Sequence, residues 1–488
     1  MKSSDELHQL IKSMNMSEKR HFKIHSSRHV IGEKNNYLHL FDAIAAQQVY
    51  EEAEIKKQFS DSTFIKHLPS EKHYLYNHVL ESLNSFNKEK TFLSRHANIL
   101  ISIEILYNRG LFAQAKKIIR KAKAEAYSLE KFSVLLLLVR WETIIFIKDE
   151  DEKNLDENIS EELRILEVMR IQYQLMRYAF SIQIHIDKGH NSVPYLNSQE
   201  RAMKKSGPAS ERVNSFWAKY YYHSSIGLLS SVRNKQMMRY QSYKEIKMLM
   251  DKNPQFIKDL PWIYHLNVNN LANTMFLLKK YTEAEMLLKQ QRVFLPANKI
   301  KNSTLEKIVF LNTHESELFL HYKTMRYDKA EKLIGEIDGE IKKIDLKFSP
   351  LLFDLYFMMA VVSLMAKNYK GATRWLNKML NAERITFFRK ELQVNSRLLF
   401  LIVLLESDDL LFENRFNSTK RFLANEPQFK TQQKILEAIR LITDKKDKNK
   451  PLLKNLLQEI KRDWKKTNAE ALNKQFDFAE WMESKMKN

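Results

Sequence analysis

The stretch LANTMFLLKKYTEAEMLLKQQRVFLP, Leu271 to Pro296, decides how the rest of the chain is read. Leu271, Ala272, Met275 and Leu278 recur at spacings that place them on one face of a helix. Ala284, Leu287, Leu288 and Gln291 do the same for a second helix, with Lys279 and Lys280 as a polar turn between them. Thr282 is the expected N-cap of that second helix, Glu283 and Glu285 fall in the first turn where the helix dipole favours carboxylates, and Pro296 is the expected stop. Ala284 is small where two helix axes must cross closely, and Tyr281 stands beside it as a wedge. The stretch reads as one helical hairpin.

The same outline recurs on both sides. Met325-x-Tyr327-x-x-Ala330-x-x-x-Ile334 and Lys367-x-Tyr369-x-x-Ala372-x-x-x-Leu376 repeat the turn, the aromatic and the small residue, with the aromatics 46 and 42 residues apart. One further step reaches Phe412, with Pro427 beyond it, and one step back reaches Lys235, where helices fit but the outline is weak. Earlier in the chain, Gly110-x-Phe112-x-x-Ala115-x-x-x-Ile119-x-x-Ala122 repeats the second-helix half.

Composition agrees with helices throughout. Only 8 Gly and 9 Pro occur in 488 residues, too few for a chain rich in strands, tight hairpins or Gly-dependent ligand loops. With no cysteine, disulfides, thiolate catalysis and Cys-based metal sites are all excluded. The start, MKSSDELHQLIKSMNMSEKRHFK, lacks the apolar core of a signal peptide, and the most apolar run, Phe132 to Ile147, is interrupted by Arg140 and Glu142. A cytoplasmic protein outside the membrane is expected. The net charge of +21 favours an anionic partner by long-range attraction, although the Lys and Arg residues are spread along the chain as a solubilising surface would be.

Residues 1–92 form a helical block outside the repeat outline, with expected helices over Asp5 to Met14, from Ser17 through Phe22 toward His29, from Asn35 or Asn36, over Glu51 to Phe59, and from Ser70 through Leu75, Val79, Leu83 and Phe86. Residues 93–440 carry the repeats. Within them a long helix holds Leu163, Leu166, Met169 and Tyr173, a polar segment at Gly189 to Pro194 is the expected internal break, and a helix from Val213 resumes the period. Residues 441–488 begin with the charged string DKKDKNK and then give two helices, one with Leu452, Leu456, Ile460 and Trp464, the other with Leu472, Phe476, Ala479 and Met482, read as a cap on the last repeat.

These residues resemble the tetratricopeptide-repeat superfamily, in a divergent form whose helices exceed those of the usual unit of about 34 residues. The likeness covers most of residues 95 to 427 as helix pairs. A HEAT array has a similar period, but its outline does not give the Tyr-x-x-Ala spacing. The strings SEKRHFKIHSSRHVIGEKNNYLHLFDAI and KHYLYNHVLESL are also similar to a group of helical-repeat proteins from Bacteroidota, which implies no activity. The tetratricopeptide likeness implies an all-α right-handed solenoid and a groove lined by the first helix of each pair. In that family an Asn six positions into the first helix often holds a ligand's backbone; by offset this is Asn270, with Asn269 and Asn273 sharing or flanking its face. Those amides suit an extended peptide, and equally suit solvent or a neighbouring helix end. Equivalent offsets give Glu104, Tyr107 and Asn108 in the first unit and Glu315, Phe319, Tyr322 and Lys323 in the third. Phe357, Met358, Val361 and Leu364 in the fourth are apolar, so that helix is expected to be buried on nearly all sides.

Catalytic and metal motifs are missing. His21, His25 and His29 lie four apart, yet no carboxylate accompanies them and Lys19, Arg20, Lys23 and Arg28 surround them, so no metal is expected. No Gly-rich phosphate loop, nucleophile elbow or dinucleotide fingerprint is present, and neither a cofactor nor an enzyme is expected. The expectation is a scaffold that binds protein or peptide, with an acidic partner favoured by the net charge of +21 and oligomeric state left open. Nucleic acid is the alternative: Lys116, Lys117, Arg120, Lys121 and Lys123 share one helix, and Lys445, Lys446, Lys448 and Lys450 follow near the end. For DNA, Glu51 to Phe59 and Ser70 to Phe86 would form a helix-turn-helix exposing His73, Asn77, His78 and Ser82.

Overall fold

The computed structural model describes residues 5–27, 36–187, 193–212, 214–343, 350–381, 390–444, 449–467 and 475–487. His29, Asn35, Gly189, Val213, Lys445, Lys446, Lys448 and Leu472 lie outside them. Among the described residues there is no strand, and no helix is long and apolar enough to cross a membrane. The chain divides into two compact units, residues 1–166 and 167–488, a coarser partition than three blocks.

The first unit opens with α1 (Glu6–Ser13), α2 (Met16–Ser27), α3 (Asn36–Ala46), α4 (Glu52–Gln58) and α5 (Leu68–Asn87). Their apolar stripes meet in one core, where the rings of Phe22 and Phe41 stack at 4.4 Å among buried Leu40, Ile44, Leu75 and Val79. Two caps differ from expectation. Asn15, not Ser17, caps α2, because its Oδ1 accepts from Glu18 N at 3.0 Å while the Glu18 carboxylate accepts from Asn15 N at 2.8 Å, satisfying two helix-end donors at once. α5 starts before Ser70, with Pro69 in its first turn, where a missing N–H costs nothing. Next come α6 (Phe92–Asn108), α7 (Phe112–Ser128) and α8 (Phe132–Lys148), with α7 packed on α6 and α8 on α7; α9 (Glu152–Asp187) starts in this unit and ends in the other.

The second unit is a run of helix hairpins. After α10 (Val193–Arg212) come α11 (Phe216–Val232) with α12 (Gln236–Asp251), a short α13 (Pro254–Asp259), α14 (Pro261–Leu277) with α15 (Tyr281–Arg292), and a short α16 (Phe294–Ala297). Then α17 (Ser303–Lys323) pairs with α18 (Tyr327–Ile341), α19 (Pro350–Met365) with α20 (Tyr369–Leu380), and α21 (Lys390–Glu406) with α22 (Phe412–Ala424). α23 (Lys430–Thr443), α24 (Lys450–Thr467) and α25 (Phe478–Lys487) close the chain. From α14 on, the first helix of each pair packs on its own partner and on the first helix of the next pair, which is how a hairpin array propagates. Ala284, Ala330 and Ala372 are completely buried where the paired helices meet, and α19 is buried from Leu352 through Leu364, as its all-apolar sequence requires. Polar rungs join successive second helices: Tyr240 Oη donates to Glu283 at 2.9 Å, Arg326 to Glu285 at 3.0 Å, and Arg374 to Asp338 at 2.8 Å.

Glycine is scarce because the turns do without it. After α14, Lys279 adopts φ 56°, its N–H bonds to Phe276 O at 3.1 Å, and Lys280 N–H bonds back to Met275 O at 2.9 Å. This left-handed helix ending closes two otherwise orphaned carbonyls. The same pair of bonds follows Gly110, Glu130, Glu150, Asn234, Lys299, Met325, Lys367 and Asp408, all with positive φ. One consequence corrects the expected cap: α15 starts at Tyr281 with Lys280 as N-cap, and Thr282 lies inside the helix without capping it. Pro296 does not stop α15 either, since that helix ends at Arg292 and Pro296 sits inside α16.

Two stability outcomes follow. Ala284→Leu should cost roughly 1–3 kcal/mol by overpacking a fully buried crossing, measured by urea denaturation. Met325→Gly should stabilise the second unit by about 0.5–1 kcal/mol, because a left-handed φ of 55° strains an L-residue and the Met325 side chain is 74% exposed, and Gly110→Ala should destabilise the first by a similar amount.

Candidate functional site

α14 divides its polar residues between two faces. On the inward side His265, Asn267 and Thr274 are buried and bonded: Asn267 Nδ2 donates to Ile263 O at 2.8 Å and reaches Tyr220 Oη of α11 at 3.3 Å, and the Thr274 hydroxyl donates to Asn270 O at 2.8 Å. His265 lies between two amides, with Gln291 Nε2 at 2.5 Å from Nδ1 and Asn312 Nδ2 at 3.0 Å from Nε2. A neutral imidazole has one donor and one acceptor, so Asn312 can donate to Nε2 while the amide of Gln291, whose Oε1 is otherwise without a partner, turns that oxygen to the Nδ1 proton. Burial pushes the His265 pKa down to about 4.

The outward face of α14 holds the expected amides. Asn269 and Asn270 are half-buried and Asn273 is exposed; among the described residues no protein group hydrogen-bonds to any of these three side-chain amides. Trp262 and Leu266, 53% and 45% exposed, extend the same stripe toward the helix start. The hairpin outline did not single them out, because they precede it, yet Trp262, Leu266, Asn269 and Asn273 follow one helical face at steps of four, three and four. The arrangement offers free amide donors and acceptors beside an exposed indole.

The third unit's contacts are not open. Glu315 accepts from Gln475 Nε2 at 2.9 Å, Tyr322 is buried with its hydroxyl 3.4 Å from Asp477 N, and Lys323 lies over the Tyr322 ring at 4.7 Å. At these expected groove positions the chain's own Gln475 and Asp477 reach α17, while α25 packs on α23 and α24. In the first unit Glu104 and Asn108 are exposed on α6, whereas Tyr107 packs its ring against Phe112 and Trp141 at 5.5 and 5.6 Å.

Of the five cations on α7, two are engaged. Lys116 pairs with Asp149 at 2.5 Å, and Lys123 bridges Glu142 and Glu161 at 2.5 and 2.7 Å; Lys117, Arg120 and Lys121 are exposed without an ion pair among the described residues. The expected DNA-reading face of α5 is only partly free. Ser82 is buried with its hydroxyl 3.1 Å from His21 Nδ1, and His78 turns to the His25 ring and to Glu81, so α2 covers this side and leaves His73 and Asn77 outside. Clefts of about 500 Å³, beside His39, Asp42 and Glu54, and about 340 Å³, beside Arg292, Phe310 and His314, bring no hydroxyl to an imidazole.

No protein-family model matches the chain, and no curated protein matches it. Among solved structures it is similar to the Signal Transduction ATPase with Numerous Domains (STAND) protein with a tetratricopeptide repeat sensor from Pyrococcus horikoshii, at 14% identity and a TM-score of 0.43. The match covers 88% of this chain and 66% of that one. The helix pairs themselves decide the architecture. Among the described residues both units are all-α, and the second is an array of stacked helix hairpins.

The buried imidazole makes the second unit acid-sensitive. With a folded pKa of about 4 against about 6.5 when unfolded, His265 contributes stability that is present above pH 6.5 and lost as pH falls toward 4, about 3 kcal/mol in all. Urea midpoints at pH 7 and pH 4.5 should therefore drop further for the natural chain than for His265→Gln.

Proposed function

We propose that the protein is a non-catalytic cytoplasmic scaffold that holds a segment of another protein against the open face of α14. What supports this reading is the division within that one helix: its inward Asn267 is satisfied by the fold, while Asn269, Asn270 and Asn273 have no side-chain partner among the described residues and stand beside Trp262 and Leu266. Each free amide can both donate to and accept from an extended backbone, and the indole supplies apolar contact. A surface already shaped before binding spares the scaffold the entropy of ordering itself. The charge of +21 favours an acidic partner.

Nucleic acid remains the second reading, favoured by the exposed Lys117, Arg120 and Lys121. Placing a photo-crosslinking residue at Leu266 separates the two. Nuclease-resistant protein adducts, reduced about tenfold by Asn270→Ala with Asn273→Ala while thermal melting is unchanged, support the scaffold. Equal loss of adduct and of melting temperature would make the amides structural. Adducts that vanish with nuclease, with binding that falls steeply as salt rises, would give the site to nucleic acid.

A further inference from the structure

The α17 face of the array already has an occupant. Residues 475–487 approach it from 160 and 155 positions away, through Gln475 to Glu315 at 2.9 Å and Asp477 N–H to Tyr322 Oη at 3.4 Å. Phe476 and Phe478 meet edge to face at 4.8 Å, and with Ala479 and Met482 they are sealed into the core of the last hairpins. Flanking the same face of α25, Trp481 Nε1 donates to one oxygen of Glu406 at 2.7 Å and Lys485 Nζ to the other at 2.8 Å. Burial lowers the Lys323 pKa, against the opposing pull of Asp477 and Glu480.

α25 itself packs on α23 and α24, while Gln475, Asp477, Trp481 and Lys485 carry the segment to α17 and α21. α19 is buried from Leu352 through Leu364, whereas α25 runs for ten residues and inserts one face only. A helix that short is not stable alone, so its order depends on the surface beneath it. Three side chains that the repeat outline assigns to partner contact, Glu315, Tyr322 and Lys323, make their contacts to this segment or beneath it.

We propose that residues 475–487 are an intramolecular ligand of the α17–α21 face, and that a protein partner engages this face by displacing them with a helix of the same chemistry. That chemistry is two aromatic rings two positions apart, then an indole and an ammonium four apart that share one carboxylate, Glu406. The proposal rests on the reading that the array holds protein segments, and it adds a second face and the kind of segment it takes.

A labelled peptide of residues 475–487, added to the full chain and followed by fluorescence anisotropy, is the probe. Phe478→Asp with Met482→Asp in the full chain should release α25 and raise affinity for the added peptide at least about tenfold over the natural chain. Hydrogen exchange in α17 and α21 should rise in that variant and fall again with peptide. Trp481→Ala in the peptide should remove most of the gain. A variant that stays folded and binds the peptide no better than the natural chain overturns the proposal. Should the double aspartate variant not fold, Trp481→Ala with Lys485→Ala decides, since it leaves Phe476, Phe478 and Met482 in place: increased peptide binding supports displacement, and no increase makes α25 a fixed part of the core. Failure here leaves the Leu266 crosslinks unaffected, so the two readings fail separately.

Discussion

Reversal of the chain after each long helix is the constraint on which the array depends. An α-helix leaves its last carbonyls unpaired, and a following helix can pack back only if the backbone turns sharply within two or three residues. Here the turn is made by one residue with positive φ and two closing hydrogen bonds, repeated from Gly110 to Asp408. Lys, Glu, Met, Asn and Asp accept that conformation at a cost of about 1 kcal/mol or more each. What offsets the cost is what the turn delivers. Two residues beyond Lys279, Met325 and Lys367, the rings of Tyr281, Tyr327 and Tyr369 pack half-buried on the core, and three residues further on an alanine meets the facing helix with nothing to spare.

Much of this was readable because it is local. The aromatic and the small residue recur at a fixed offset, so the hairpins at Tyr281, Tyr327 and Tyr369 could be placed from spacing alone. The turn residues carried little signal: without glycine, a left-handed ending looks like any polar pair, and Thr282 beside two glutamates looked like a cap. The site was legible only in part, for a different reason. Whether an amide of NVNN is buried or free depends on Tyr220, which lies 47 residues earlier, and whether Glu315 and Tyr322 are open depends on residues 155 to 160 positions later. No window on the sequence holds both members of such a pair.

Charge is distributed with similar economy. The chain is strongly basic, yet Lys116, Lys123, Arg292 and Arg326 are matched to carboxylates on neighbouring helices. Such pairs, partly exposed, add little stability singly, but they fix which helix lies beside which. The positive charge left over belongs to residues such as Lys117, Arg120 and Lys121, which face solvent and act at a distance.

An array in which each hairpin leans on the next can complete itself as it is made, from one end to the other. The return of residues 475–487 to Tyr322 breaks that order. On a ribosome adding about 5–20 residues each second, the surface around α17 would wait on the order of ten seconds for its cover. During that interval newly made chains would present bare aromatic surface to one another, which makes the last helix a determinant of how cleanly the protein emerges from synthesis.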